Sequence, residues 1–140
     1  GEKVTSLSAS MGKSGGILFF DLDGLKTIND TYGHKIGDLA IKLESYVIKT
    51  AFRESDVVGR LSGDEFGVVA PGFPSRKIDY LREKLIKLNE QISKENDLPF
   101  TLSISVGCVD FSPASCDFQA LLKQADEKLY EEKRIKHSRR

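Results

Sequence analysis

Gly16-Ile17-Leu18-Phe19-Phe20-Asp21-Leu22-Asp23 is the stretch on which the fold turns. Four consecutive apolar residues, two of them aromatic, run from a glycine into an aspartate. That pattern predicts a strand covered on both faces. A carboxylate that continues a buried strand needs a partner, because a dry unpaired charge is costly. Asp21 is therefore the first candidate for chemistry, and the period of two predicts that Asp23 leaves the same face.

Outward from that strand, Lys26 to Tyr32 predicts a short helical turn closed by Gly33. Asp38, read as an N-cap, opens a helix to Phe52 whose apolar stripe is Leu39, Leu43, Tyr46, Val47 and Ala51. Residues 56–61 and 66–70 are β segments, and the polar Ser62-Gly63-Asp64-Glu65 between them predicts a hairpin. After the break Pro71-Gly72-Phe73-Pro74, the spacing of Ile78, Leu81, Leu85, Leu88 and Ile92 predicts a helix. Thr101 to Val106 alternates polar and apolar, predicting a strand with one wet face. Phe118, Leu121, Leu122, Ala125 and Leu129 mark a last helix. The order β-α-α-β-β-α-β-α predicts an α+β sheet related to the split β-α-β arrangement, with helices on its faces. Residues 1–16, rich in Gly, Ser and Lys, read as a lead-in.

Composition narrows the function classes. The 140 residues carry 21 Lys+Arg against 21 Asp+Glu, so the formal net charge is zero. One domain is expected at this length, and a neutral chain is a poor candidate for coating nucleic acid by phosphate neutralisation. The longest purely apolar run is too short for a membrane span, and no secretory pattern opens the chain. Cys108 and Cys116 have neither disulfide-framework nor zinc-site spacing. The expected setting is the cytoplasm, with membrane anchoring of a parent protein left open.

The hairpin loop offers Asp64 and Glu65. If the first strand pairs beside the hairpin, at least three carboxylates converge at one sheet edge. Such clusters repel unless a hard divalent cation fills them, and Mg²⁺ is held by few carboxylates together with substrate phosphates. The plainer alternative is a set of solvated strand-end acids, and spacing alone does not separate the two.

Longer motifs do. Phe20-Asp-Leu-Asp-Gly-Leu-Lys-Thr-Ile-Asn-Asp-Thr-Tyr-Gly-His-Lys-Ile-Gly-Asp38 resembles the pattern D-x-D-x-F-K-x-I-N-D-x-x-G-H-x-x-G-D. Arg60-Leu-Ser-Gly-Asp-Glu-Phe66 resembles R-x-G-G-[DE]-E-F, and Ala125-Asp-Glu-Lys-Leu-Tyr-Glu-Glu-Lys133 resembles A-D-x-A-L-Y-x-A-K. Their order and separation identify residues 17–136 as resembling a GGDEF domain of the diguanylate cyclase family, with 137–140 as a tail.

The resemblance implies a palm-like nucleotidyl cyclase fold, a central and mostly antiparallel sheet with helices on both faces. It implies condensation of two GTP, one per monomer of a facing homodimer, to cyclic di-GMP and two pyrophosphates. Mg²⁺ or Mn²⁺ would be held by Asp21, the Leu22 carbonyl and Asp64. Asp64 would also take the proton from the attacking 3′-hydroxyl, with Glu65 as a supporting acid. Lys26 and Lys133 would neutralise the triphosphate, while Asn29 and Asp38 read guanine and His34 lines the same pocket. Carboxylate and amide groups suit guanine's donors and acceptor. Arg53-Glu-Ser-Asp56 matches the family's R-x-x-D site for inhibitory product, and a fused sensor domain is expected in the parent protein. Plainer readings stand beside these: helix caps for Asn29 and Asp38, and a solvated helix face for Lys133.

Four departures bear on activity. Ser62 replaces the first glycine of the signature, and Leu25 replaces a phenylalanine. His137 falls where the family carries a phosphate-gripping arginine, so Arg134 or Lys136 would have to substitute. Glu2 to Ala9 resembles D-x-L-T-x-L-x-N, but it lies too close to the strand at Gly16 for the full helix the family places between them, so either that helix is absent or its residues lie outside this sequence. The alternative to an active cyclase is a degenerate domain that binds GTP or cyclic di-GMP and regulates a partner. A palm-like cyclase using ATP is disfavoured by Asn29 and Asp38.

Overall fold

A computed structural model describes residues 14–112 and 117–138. Most of the lead-in, the family-like Glu2–Ala9 stretch, Cys116 and residues 139–140 lie outside the described residues. The elements are β1 (Gly15–Leu22), α1 (Leu25–Tyr32), α2 (His34–Ala51), β2 (Val57–Ser62) and β3 (Glu65–Pro71). A 3₁₀ turn (Ser75–Lys77), α3 (Ile78–Glu95), β4 (Ile104–Phe111) and α4 (Phe118–Ser138) follow. All pairings are antiparallel in the sheet order β2-β3-β1-β4.

β1 is central, and its two faces serve two cores. Leu18, Phe20 and Leu22 pack with Ala40, Val47 and Ile48 of α2 and Leu81, Leu85 and Ile92 of α3. Ile17 and Phe19 pack with Leu121, Ala125 and Leu129 of α4. Helices therefore cover both faces, as expected for an α+β palm-like sheet.

Three local expectations are corrected. Helix α2 starts at His34, with Gly33 at its N-cap, so Asp38 lies inside the helix and caps nothing. Its buried stripe is Gly37, Ala40, Glu44, Val47 and Ile48, while Tyr46 is 55% exposed. Two small residues and an acid make the true inner face look polar, which shifts the apparent stripe by one residue. β4 has no wet face before Asp110, and Ile104 to Val109 are all buried. The small residues that suggest solvent are there for contact instead. Ser105 bonds Asp23, and a Cβ on Gly107 would lie 2.3 Å from the Leu129 nitrogen and 2.5 Å from the Ala125 oxygen. The α4 backbone thus sits directly on Gly107. Cys108 is buried in the same strand, which pushes its thiol up to about 12.

Among the described residues no helix is long and apolar enough to cross a membrane.

Candidate active site

Strand register builds the site. Pairing between β1 and β3 ends at Phe20 with Phe66, whereas pairing between β1 and β4 runs on to Leu22 with Ile104. Asp21 thus emerges level with the β2–β3 turn that carries Asp64. The turn is held by Arg60, whose Nε donates to the Gly63 carbonyl at 2.7 Å. Gly63 takes the left-handed backbone (φ 47°), and Asp97 is the only non-glycine with positive φ among the described residues. Ser62 therefore replaces the family glycine without backbone strain.

The neighbouring acid is Asp64, whose carboxyl opposes ionisation of Asp21. Burial, then Asp64, pushes Asp21 up to about 7, against the pull of Lys133. The Lys133 ammonium lies 3.0 Å from Asp21 Oδ2 and donates to the Leu22 carbonyl at 3.0 Å. The other carboxyl oxygen, Asp21 Oδ1, is buried without a donor. Glu65 opens β3 beside this pair. Burial first, then Asp126 of α4 and Asp64, hold its carboxyl above the usual range, with Lys133 opposing.

The two strand-end aspartates do not stay together. Asp23 accepts from Ser103 Oγ at 2.5 Å, Ser105 Oγ at 2.6 Å and Lys136 Nζ at 2.8 Å. Burial works to raise its carboxyl, but Lys136 and the two hydroxyls outweigh it and hold it low. Asp23 thus fastens α4 to the entry of β4 and does not join the carboxylate cluster. The third acid near the pair is one that sequence reasoning missed. Glu44 of α2 is fully buried, and neither of its oxygens has a partner. Burial, then Asp64 and Asp21, pushes it up to about 9, with Lys133 and Arg60 opposing. Its signal in the sequence is an acid four residues after Ala40 and three before Val47.

Helix α4 is positioned by Lys136 and by Glu132, which accepts from Arg82 Nε at 2.5 Å and from the Val106 amide. Neither cation expected to replace the family arginine is unengaged: Lys136 holds Asp23 and Arg134 pairs with Glu131 at 2.7 Å. His137 is exposed.

The base-reading candidates meet where α1 crosses α2. Asn29 lies over Gly37, where a Cβ would fall 1.7 Å from Asn29 Oδ1. Only a glycine lets the amide lie there, one residue from Asp38. Asp38 is exposed and edges a cleft of about 450 Å³ that also touches Ile41, Ser45, Val58, Arg60 and Phe66. Lys26 and His34 are exposed on α1 and at the start of α2. At the far end of β2, the Arg53 amide donates to Asp56 Oδ2 at 2.9 Å. The Arg53 guanidinium donates to the Pro71 carbonyl at 2.6 Å, and its side chain is 66% exposed.

Among the described residues no three His, Cys, Asp or Glu side chains are gathered to hold a metal. A cation would be met instead by two carboxylates and a carbonyl, the donor set suited to a hard ion that keeps waters and phosphates. The orphaned Asp21 oxygen and the ammonium seated on Asp21 and Leu22 fit that role.

Known proteins are similar to this chain in sequence and fold. The chain is 35% identical over 123 residues to the probable diguanylate cyclase DgcC of Escherichia coli, covering 88% of this chain and 33% of DgcC. It is 36% identical over 124 residues to the cyclic di-GMP phosphodiesterase NbdA of Pseudomonas aeruginosa, covering 87% of this chain and 16% of NbdA. The chain thus spans a third or less of these relatives. A solved structure of TpbB (YfiN) from Pseudomonas aeruginosa, comprising only its GGDEF domain, superposes with a TM-score of 0.74. That match has 28% identity and covers 95% of this chain and 83% of that one. The family profile described as diguanylate cyclase, GGDEF domain, matches residues 2–139, a span that holds both the Asp21–Asp64 cluster and the α4 helix seated on it. The chain belongs to the GGDEF domain family of diguanylate cyclases.

Proposed function

We propose that this domain condenses two GTP molecules into cyclic di-GMP, releasing two pyrophosphates. The observation that carries the reading is the cradle at the end of β1, where Asp21 and Leu22 already hold a positive charge beside Asp64. In this reading Asp21, the Leu22 carbonyl and Asp64 hold Mg²⁺ or Mn²⁺. When bound, such an ion draws charge from the phosphate oxygens and favours in-line attack at phosphorus.

The residues of the chain do the rest. Asp64 accepts the proton of a 3′-hydroxyl, and Glu65 supports it. The freed oxygen bonds to the α-phosphorus of the facing GTP as the bond to the bridging oxygen breaks and pyrophosphate leaves. Repeated in the other direction, the step closes the ring, which requires two copies of the domain facing one another. Lys133, released from Asp21, and Lys26 balance the triphosphate charge. NbdA's phosphodiesterase name describes a protein of which this chain matches 16%, so it does not carry over.

Asn29 and Asp38 read guanine, with His34 beside them. Gly37→Ala is expected to push the Asn29 amide aside and weaken GTP binding about tenfold, the worth of roughly one hydrogen bond to the base. Calorimetric titration with a non-hydrolysable GTP analogue checks this. An unchanged Kd would remove Asn29 from the base site.

Arg53 and Asp56 form the site for inhibitory product. A guanidinium pre-set by Asp56 and the Pro71 carbonyl can grip a phosphate or stack on a guanine. Arg53→Ala should raise the cyclic di-GMP concentration needed for half-inhibition about tenfold or more, at an unchanged uninhibited rate. The dose-response curves of the two proteins decide it.

A second reading, a regulatory binding domain without turnover, is favoured by His137 and by the engagement of Arg134 and Lys136 with other acids. Incubating the paired domain with GTP and Mg²⁺ separates the two. Cyclic di-GMP and pyrophosphate support the enzyme, and tight cyclic di-GMP binding without product supports the regulatory domain.

A further inference from the structure

We propose that Lys42 is a further specificity-determining residue, donating to the O6 and N7 acceptors of a guanine whose ring donors are taken by Asp38. The proposal rests on the reading of Asn29 and Asp38 as the guanine site. Asp38 and Lys42 both line the cleft of about 450 Å³ between α2 and β2. Lys42 follows Asp38 by one turn of α2, which sets their Cβ atoms about 6 Å apart on one face. An acid four residues before a lysine is the arrangement that favours an ion pair. Here none forms: neither side chain has an ion-pair or hydrogen-bond partner among the described residues. Carboxylate and ammonium are thus presented side by side to the cleft, whose apolar walls are Ile41, Val58 and Phe66. Gly59 of β2 lines the same cleft, and a Cβ there would meet no atom within 4 Å. Packing does not call for a glycine at that position, and the missing side chain leaves room for a flat ring.

Guanine needs partners of both kinds. A carboxylate only accepts, so it serves the N1 and N2 donors and leaves O6 and N7 unserved. Those two acceptors suit a cation that spans them both. Asn29 comes in over Gly37, before Asp38 on the helix, and Lys42 comes after it. Amide, carboxylate and ammonium follow one another along α2 as N3, N1 and O6 follow one another around the base. The other cations of the cleft are engaged or distant. Arg60 Nε donates to the Gly63 carbonyl, and Lys49 lies seven residues past Lys42, about 10 Å further along the helix axis. Adenine carries an amino donor where guanine has O6, so Lys42 would face a donor there and the contact would be lost.

The test is calorimetric titration, in Mg²⁺, of GDP, 7-deaza-GDP, IDP and ADP into wild type, Lys42→Met, Lys42→Arg and Lys49→Met. Diphosphates have no pyrophosphate to lose, so binding alone is read. 7-Deaza-GDP lacks N7, and IDP lacks the 2-amino group that faces Asp38. Wild type is expected to bind GDP about tenfold more tightly than 7-deaza-GDP or ADP. Lys42→Met should bind GDP about tenfold more weakly and no longer distinguish it from 7-deaza-GDP. Its GDP-to-IDP ratio should stay at the wild-type value, because that ratio belongs to Asp38. Lys42→Arg should keep every ratio, since a guanidinium also spans O6 and N7, and Lys49→Met should change none. If Lys42→Met weakens all four nucleotides by the same factor, the lysine supplies only charge and the proposal is overturned. A GDP-to-7-deaza-GDP ratio near one in wild type, or one that Lys42→Met leaves unchanged, overturns it too. In either case IDP binding more weakly than GDP leaves the Asp38 reading standing. A wild type that binds GDP, IDP and ADP alike, or binds none of them, overturns both.

Discussion

Asp64→Ala is expected to reduce cyclic di-GMP synthesis by about 10³-fold or more, the scale seen when a charge-handling group is taken from a reaction centre. Asp64 sits at the tip of the β2–β3 turn, the acid neighbour of Asp21. Its loss removes a cation donor and the proton acceptor at once, and leaves the Lys133 ammonium as the main partner of Asp21. The fold should survive, because the turn is held by Gly63 and by the Arg60 bond to the Gly63 carbonyl, neither of which involves the Asp64 side chain. Product binding should survive as well. Arg53 and Asp64 lie at opposite ends of β2, whose six residues span about 20 Å. The measurement pairs a product assay, on domains fused to a dimeric coiled coil, with calorimetric cyclic di-GMP titration. Turnover close to wild type would remove Asp64 from the chemistry. Equal loss of turnover and dinucleotide binding would mean that the two sites are not separate.

Replacing Gly107 with valine should be the most damaging change to stability. The Cβ would meet the backbone of α4 at 2.3 Å from Leu129, 2.5 Å from Ala125 and 2.8 Å from Lys128, and backbone cannot swing away as a side-chain tip can. Either α4 lifts from β4 or β4 leaves the sheet. Overpacking of this kind costs about 3 kcal/mol or more, which corresponds to a fall in melting temperature of roughly 10 °C. Since α4 delivers Lys133 to Asp21 and Lys136 to Asp23, whatever remains folded should also bind nucleotide poorly. Thermal melts and urea titrations test this, and a shift below about 2 °C would show that the close α4–β4 contact does not hold the domain together.

The elements that the sequence made legible share a physical character. β1 is read correctly because a continuous apolar run has few other uses, and the hairpin because a polar turn between two Val-rich segments closes on itself. The helix α3 is read from a regular apolar stripe that propensity and packing both favour. Where burial depends on a small or polar residue, the reading slips. Gly37, Ala40 and Glu44 on α2 conceal its inner face, and Ser105 and Gly107 on β4 imitate a wet one. Hydropathy measures what a residue prefers. It does not record that a glycine admits a neighbouring backbone or that a serine is buried with a carboxylate.

The amino-acid sequence determined the family, the order of elements and the acids around which a cation site is read, because motif residues at fixed spacing and local patterning are properties of the chain itself. Which acid went where was decided by tertiary structure alone. Register left Asp21 facing the hairpin, while Ser103, Ser105 and Lys136 claimed Asp23. Docking of α4 seated Lys133 on Asp21 and Leu22, and the phase of α2 enclosed Glu44 on its inner face. Each of these outcomes turns on contacts between residues far apart in the chain, so no local stretch could encode it.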